Sequence, residues 1–285
     1  MYRQSITRAH RTAFILLIDG SGSMAEEVLF RGNMLSKAEA VATITNELIF
    51  ELIERARRSE GIRDYYDIAV LSYHGDDEVD SLLPCDEPLI SIARLATLPV
   101  LWRQELLDMR QPDGTVAQRI FRTPQWIAPQ ASGQTPMLEA LREARDLLRS
   151  WTSRVEHADS FPPVVFNITD GEATDGTAEE LRGVAEEIRS LTTADGPVLL
   201  INIHIAPALE GQACCFPTEA EYANLPHLAR QLYEASSPMP DCFNEAIHSI
   251  KGFGAQPPFR GMSFNASVTD VMAMLDIGSI SVKTE

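Results

Sequence analysis

The sequence predicts an α/β protein with a Rossmann-like, doubly wound architecture, in which a mostly parallel central sheet is flanked by helices. Three observations carry that prediction. Phe14-Ile15-Leu16-Leu17-Ile18 is an unbroken apolar run that stops at Asp19 and a Gly-containing turn, as a strand buried on both faces does. Similar runs return at 67–73, 164–169 and 198–205, with helix-periodic segments between them. A strand–helix–strand order implies parallel pairing through a right-handed crossover. In such sheets ligands bind beyond the carboxyl ends of the strands, where Asp19, Ser21 and Ser23 fall.

Taken in order, residues 1–12 are polar and basic and read as a short tail, without the apolar core and cleavage site of a secretory signal. After Met24 a short polar loop leads to a helix over about 34–58. Its Ala38, Val41, Leu48, Ile49 and Leu52 recur at helical spacing among Lys37, Glu39, Glu47, Glu51 and Glu54, and Gly61 is read as its end. The second buried strand follows at 67–73. Residues 76–131 carry Pro84, Pro88, Pro99, Pro112, Pro124 and Pro129 and form the least regular stretch. Within it Pro112-Asp113-Gly114-Thr115, between apolar flanks at 106–109 and 116–121, reads as a hairpin turn and so as an added β-containing element. Pro136 suits the first position of a helix over 137–151. Strand 164–169 follows, and Thr177-Ala178-Glu179-Glu180 has the form of a capping box opening a helix to about 191. Gly196-Pro197 precedes strand 198–205; 219–234, 241–250 and 267–275 read as the remaining helices.

The 285 residues are 45% hydrophobic, enough for a sizeable core. Lys and Arg total 24 against 41 Asp and Glu, and the net charge of −17 opposes a phosphate backbone, so nucleic acid is not an expected partner. No segment is expected to span a membrane. Cys85, Cys214, Cys215 and Cys242 lack paired metal-ligand spacing and read as reduced thiols of a cytoplasmic protein.

The chemistry-bearing pattern is Asp19-x-Ser21-x-Ser23 after an apolar strand, then Ser132-Gly133-Gln134-Thr135-Pro136-Met137, then Asp170-Gly171-Glu172 after the strand at 164–169. These three ordered pieces resemble the metal-ion-dependent adhesion site of von Willebrand factor A (VWA) domains. The resemblance implies a VWA fold over 1–285 as one domain, with 76–131 as an insertion, because Asp19 and Thr135 lie further apart than such domains usually need. It also implies Ser21, Ser23 and Thr135 as direct ligands, and Asp19 and Asp170 acting partly through water. The implied ion is Mg²⁺, with Mn²⁺ or Ca²⁺ as substitutes, since hydroxyl and carboxylate oxygens suit hard cations. With little negative charge in its shell, such an ion takes a Glu or Asp from another protein. The run Asp170-Gly171-Glu172-Ala173-Thr174-Asp175-Gly176 resembles that of bacterial intracellular members associated with stress or tellurite resistance.

Blander readings stand beside these. The Asp19–Ser23 turn alone also fits a helix-capping or phosphate-binding loop, and Thr135 before a proline is a common N-cap. Gly20 and Gly22, and Gly171 after Asp170, are read as glycines that permit tight turns. Glu172 and Asp175 add carboxylates near the site; Glu26 and Glu27 fit either the site or a solvated helix entry. His74 and His204 read as structural, and Trp102 and Trp126 as partner surface or core. The functional expectation is a non-enzymatic, metal-dependent interaction module. The alternative is a metal-dependent hydrolase of phosphate esters. A nucleotide-binding domain ranks third, since the chain lacks Gly-x-x-x-x-Gly-Lys-Ser/Thr and Gly-x-Gly-x-x-Gly.

Overall fold

Residues 1–110, 116–206 and 213–279 are described by the computed structural model of this protein. Along the chain they form β1 (Thr12–Asp19), β2 (Glu27–Phe30), β3 (Asn33–Ser36), α1 (Lys37–Ala56), β4 (Tyr66–His74) and β5 (Glu78–Ser81). A long hairpin of β6 (Leu101–Arg110) and β7 (Val116–Gln125) follows, then α2 (Met137–Thr152), β8 (Val164–Thr169), α3 (Ala178–Ser190) and β9 (Leu199–Ile205). The last elements are β10 (Cys214–Cys215), α4 (His227–Ala235), α5 (Asn244–Lys251), β11 (Met262–Ala266) and α6 (Val268–Ser279).

The main sheet runs β10-β11-β9-β8-β1-β4-β5, and the short strand Ile90–Ser91 also pairs with β4. Its inner pairs are parallel: β1 with β4 and β8, β8 with β9, and β9 with β11. Only the edge strands, β10, β5 and Ile90–Ser91, are antiparallel. The fold class is therefore mixed α/β with a mostly parallel sheet. Alternate residues of β1 show why both faces are covered. Phe14, Leu16 and Ile18 join a core shared with α1 and α6, whereas Ile15 and Leu17 join one shared with α2 and α3. A strand whose two faces both enter a core has to be apolar throughout, which is what the run at 14–18 announces.

Connectivity selects the working edge of the sheet. From β1 the chain moves to β4 on one side and then returns to build β8, β9 and β11 on the other. The order reverses at β1, so the crevice beyond the carboxyl ends of β1 and β8 is the topological switch point where open α/β sheets bind ligands.

Several expectations need correction. The helix does not begin at about 34, because residues 27–36 form a hairpin turning through Arg31 (φ 50°) and Gly32 (φ 83°). The true start is marked by a capping box, with the Ser36 hydroxyl accepting from the Glu39 amide and the Glu39 carboxylate accepting from the Ser36 amide. Nor does Gly61 end α1: the helix stops at Ala56, and Gly61 (φ 124°) turns a small hairpin between Arg57–Arg58 and Gly61–Ile62. The helix expected over 219–234 is two, Glu219–Tyr222 and His227–Ala235, because Pro226 cannot continue the first. Residues 1–12 are anchored. Ile6 is buried, the Tyr2 hydroxyl donates to the Pro197 carbonyl, and the Arg3 and Gln4 amides donate to the Asp195 carboxylate. The added β element is present as β6 and β7, while its turn at 111–115 lies outside the described residues. Among the described residues no helix is long and apolar enough to cross a membrane.

Candidate functional site

Register brings the first two carboxylates together. Ile168 lies opposite Ile18, so Asp19 and Asp170 leave neighbouring strands at nearly the same level. The turn after β1 is closed by Asp19 itself, whose Oδ1 accepts from the Ser21 amide at 2.9 Å while its Oδ2 accepts from Thr169 Oγ1 at 2.8 Å. Asp19 is wholly buried, and that burial pushes its carboxyl upward, assisted by the charge of Asp170 and opposed by the bonds from Ser21 and Thr169. From this anchor the oxygens continue in a line. Ser21 Oγ lies 3.1 Å from Ser23 Oγ, and Ser23 Oγ donates to Asp170 Oδ1 at 2.7 Å.

Thr135 arrives by a different route. The Ser132 amide donates to the Gly20 carbonyl at 2.6 Å, the Gly22 amide to the Gly133 carbonyl at 3.0 Å, and the Gln134 amide to the Gly75 carbonyl at 2.7 Å. These bonds stitch the loops after β1 and β4 to the segment before α2. Gly133 is required there, since it holds φ 76° and a Cβ on it would meet the Gly75 backbone at 2.5 Å. Gly20 is required for space, its Cβ position lying 2.5 Å from Ser72 Oγ. Gly22 and Gly171 carry no such demand, with only the Gly133 carbonyl at 3.6 Å from the first and nothing within 4 Å of the second, so space does not require glycine at either turn. Buried Thr135 then exchanges backbone bonds with Thr174: its amide donates to Thr174 Oγ1 and its carbonyl accepts from the Thr174 amide. Among the described residues its own hydroxyl is used in no hydrogen bond with Asp19, Ser21, Ser23 or Asp170.

Three neighbours went unrecognised or misread. Lys37, the first residue of α1, donates from Nζ to Asp170 Oδ2 at 2.9 Å and to Glu26 Oε2 at 2.6 Å, with its side chain only 4% exposed and that of Asp170 0% exposed. Burial alone would lower the Lys37 pKa, but the bonds to Glu26 and Asp170 and their charges outweigh it and raise it, so the ammonium persists. Thr169 holds Asp19. Asp175 is a cap: its two carboxylate oxygens accept from the Leu138 and Glu139 amides at the start of α2. Glu172 is exposed and faces His227 at 3.9 Å. His204 stacks on Phe264 at 4.4 Å and accepts from the Asn265 amide, and burial lowers its pKa to about 4. His74 lies between Glu78 and Asp80. Trp102 is exposed, and Trp126 packs partly buried against the core, its amide donating to Asn46 Oδ1.

Among the described residues no three His, Cys, Asp or Glu side chains converge as a metal cage. The oxygen set offered is instead mixed, two carboxylates with serine hydroxyls, and it suits a hard cation with few direct carboxylate ligands. In an octahedron with Mg²⁺–O distances of roughly 2.0–2.1 Å, adjacent ligands stand about 2.8–3.0 Å apart, and the hydrogen-bonded Ser21–Ser23 oxygens, at 3.1 Å, lie just outside that range.

Fold and site together define a class: an α/β protein whose parallel sheet ends, at its switch point, in a cluster of hydroxyls and carboxylates. No protein-family profile and no curated protein matches the sequence. Among solved structures, the chain is similar to a von Willebrand factor type A protein from Catenulispora acidiphila, at 14% identity and TM-score 0.39, over 69% of this chain and 34% of that one. It thus spans about a third of that protein's length. It is also similar to the vWF domain of the type V pili tip protein Mfa5 from Porphyromonas gingivalis, at 10% identity and TM-score 0.43, over 95% of each chain. An uncharacterized membrane spanning protein from Vibrio fischeri is similar at 14% identity and TM-score 0.28, over 68% of this chain and 71% of that one.

Proposed function

We propose that the chain is a VWA-type module that binds one divalent cation, Mg²⁺ or Mn²⁺ with Ca²⁺ as a substitute, and uses it to dock another protein. In this reading Ser21, Ser23 and Thr135 are direct ligands, and Asp19 and Asp170 act directly or through water. The observation that carries it is the run of oxygens from Ser21 through Ser23 to Asp170, whose Ser21–Ser23 spacing of 3.1 Å is within a few tenths of an ångström of an octahedral edge of about 2.8–3.0 Å. A bound cation supplies a Lewis-acidic position that an external Glu or Asp side chain can occupy. Asp19 orients the serine turn from below, and Thr169 fixes Asp19.

Binding without turnover is the activity we propose. His204 is engaged by Asn265 and Phe264, His74 by Glu78 and Asp80, and Lys37 is held between two carboxylates, while His227 faces Glu172. These engagements favour binding over turnover, and Asp19 and Glu172 are the groups a hydrolase would have to use as acid or base. The net charge of −17 repels an acidic partner at long range, so the docking carboxylate belongs on a neutral or basic surface. We place the module in the cytoplasm, as a scaffold of a bacterial stress-response or defence system.

The test is a Mn²⁺ titration followed by electron paramagnetic resonance, with a pull-down in Mg²⁺ and in chelator alongside. Thr135→Ala should weaken Mn²⁺ and partner binding with the fold intact, and Asp19→Ala should do more. Wild-type protein that binds no Mn²⁺ refutes the site. Mg²⁺-dependent hydrolysis of phosphate esters, lost in the same variants, would replace docking with catalysis.

A further inference from the structure

Lys37 is a costly residue where it stands. It is the first residue of a 20-residue helix, where the backbone dipole disfavours a cation, and its ammonium is buried. The helix does not require it, since Ser36 and Glu39 already provide the cap. What holds it is a pair of acids from two different loops: Glu26, just beyond the serine turn, and Asp170, at the end of β8. The two carboxylate oxygens of Asp170 are thereby divided, Oδ1 toward Ser23 and Oδ2 toward Lys37.

Resting on the metal reading above, we propose that Lys37 is a positioning residue: it occupies one oxygen of Asp170 and offsets one of the two buried carboxylates, so that an external carboxylate completes the cation's shell. The charge arithmetic is short. Asp19 and Asp170 contribute two negative charges and Lys37 one positive, leaving one negative charge among these buried groups. A divalent ion beside them keeps net positive charge and retains affinity for an outside anion. Without the ammonium the two acids neutralise the ion, and Asp170 is free to offer both oxygens. Lys37 therefore trades metal affinity for docking strength. Glu26, 58% exposed, completes the tie from the solvent side and contributes less because water screens it.

The experiment uses the full chain, Mn²⁺ and acetate as probes, and Lys37→Met with Lys37→Arg as the charge-preserving control. Mn²⁺ affinity is read by electron paramagnetic resonance, and acetate binding to the loaded protein by relaxation of its methyl protons. Lys37→Met should bind Mn²⁺ about tenfold more tightly and acetate several-fold more weakly, a crossed effect that simple structural damage does not produce. Lys37→Arg should keep the wild-type affinities within about twofold. If Lys37→Met does not fold, Lys37→Gln, which still donates to Asp170 without a charge, carries the same expectation. A folded, uncharged variant whose Mn²⁺ affinity is unchanged or weaker overturns the role of Lys37 while leaving the metal site standing. Failure of the wild type to bind Mn²⁺ overturns the site itself, and the two failures are read in different samples.

Discussion

Replacing Asn167 should test how the strand that carries Asp170 is held. A buried polar chain crosses the sheet here: the Tyr73 hydroxyl donates to Asn167 Oδ1 at 2.9 Å, Asn167 Nδ2 to Asn202 Oδ1 at 2.9 Å, Asn202 Nδ2 to Ser236 Oγ at 2.9 Å, and Ser236 Oγ to the Leu232 carbonyl at 2.6 Å. All four side chains are essentially inaccessible to water. In Asn167→Ala, Tyr73 falls back on its longer contact with the Ile168 carbonyl at 3.3 Å, but Asn202 Oδ1 is left without a partner. An orphaned buried acceptor costs about 1–3 kcal/mol and the vacated amide volume about 1 more, so the loss should be about 2–4 kcal/mol. At this chain length that is a fall of about 3–7 °C in melting temperature, and the urea midpoint should fall with an unchanged slope. The decisive comparison is Asn167→Leu with Asn202→Leu, singly and together. Removing both partners should cost less than the sum of the singles by about 1–3 kcal/mol. An Asn167→Ala protein within about 0.5 kcal/mol of wild type, or strict additivity in the leucine cycle, would refute the idea that this chain acts as a unit.

Other outcomes follow from single features. Asp175→Ala removes the carboxylate that caps α2 and should cost about 1–2 kcal/mol, measured by urea unfolding, while loosening the segment that presents Thr135. Gly133→Ala forces a side chain into left-handed backbone against Gly75 and should destabilise by about 1–3 kcal/mol, with Mn²⁺ affinity falling in parallel. His204 has a folded pKa of about 4 against an ordinary value near 6.5, so the unfolded chain binds the extra proton first. Stability should therefore decline as pH drops from about 6.5 to about 4, by about 3 kcal/mol in total, and His204→Gln should flatten that decline in urea melts at pH 7, 5.5 and 4. Buried His157, also lowered by burial, keeps a residual slope in the variant.

What a local pattern can announce, the sequence announced. Strand β8 was legible to the residue because a strand covered on both faces is apolar from end to end, and α3 because Thr177 and Glu180 spell out its cap. The hairpin at 27–36 was hidden by an arginine in a left-handed turn position, where Asn or Gly would have signalled it. Ser36 and Glu39 did mark the start of α1, but apolar Met34 and Leu35 made the helical period seem to begin earlier. Strand β11 escaped notice because it is short, bulged opposite Ile203–Ile205, and contains Asn265 at φ 53°. At the site, the resemblance to VWA domains is what singled out Asp19, Ser21, Ser23, Thr135 and Asp170. Lys37 could not be found that way, because its bond to Asp170 spans 133 positions and belongs to no repeating pattern.

The stitching of the three loops also bears on how the surface can diversify. Gly20, Gly22, Gly75, Ser132, Gly133 and Gln134 are joined through peptide groups, and a peptide group is the same whatever side chain it carries. Ala131, Ser132, Gln134 and Glu172 are exposed beside the cluster, whereas Thr174 holds the Thr135 amide through its hydroxyl. Substitutions at the first four positions leave the bonds that shape the cradle in place. A lineage can therefore revise the rim while the oxygens beneath are inherited unchanged.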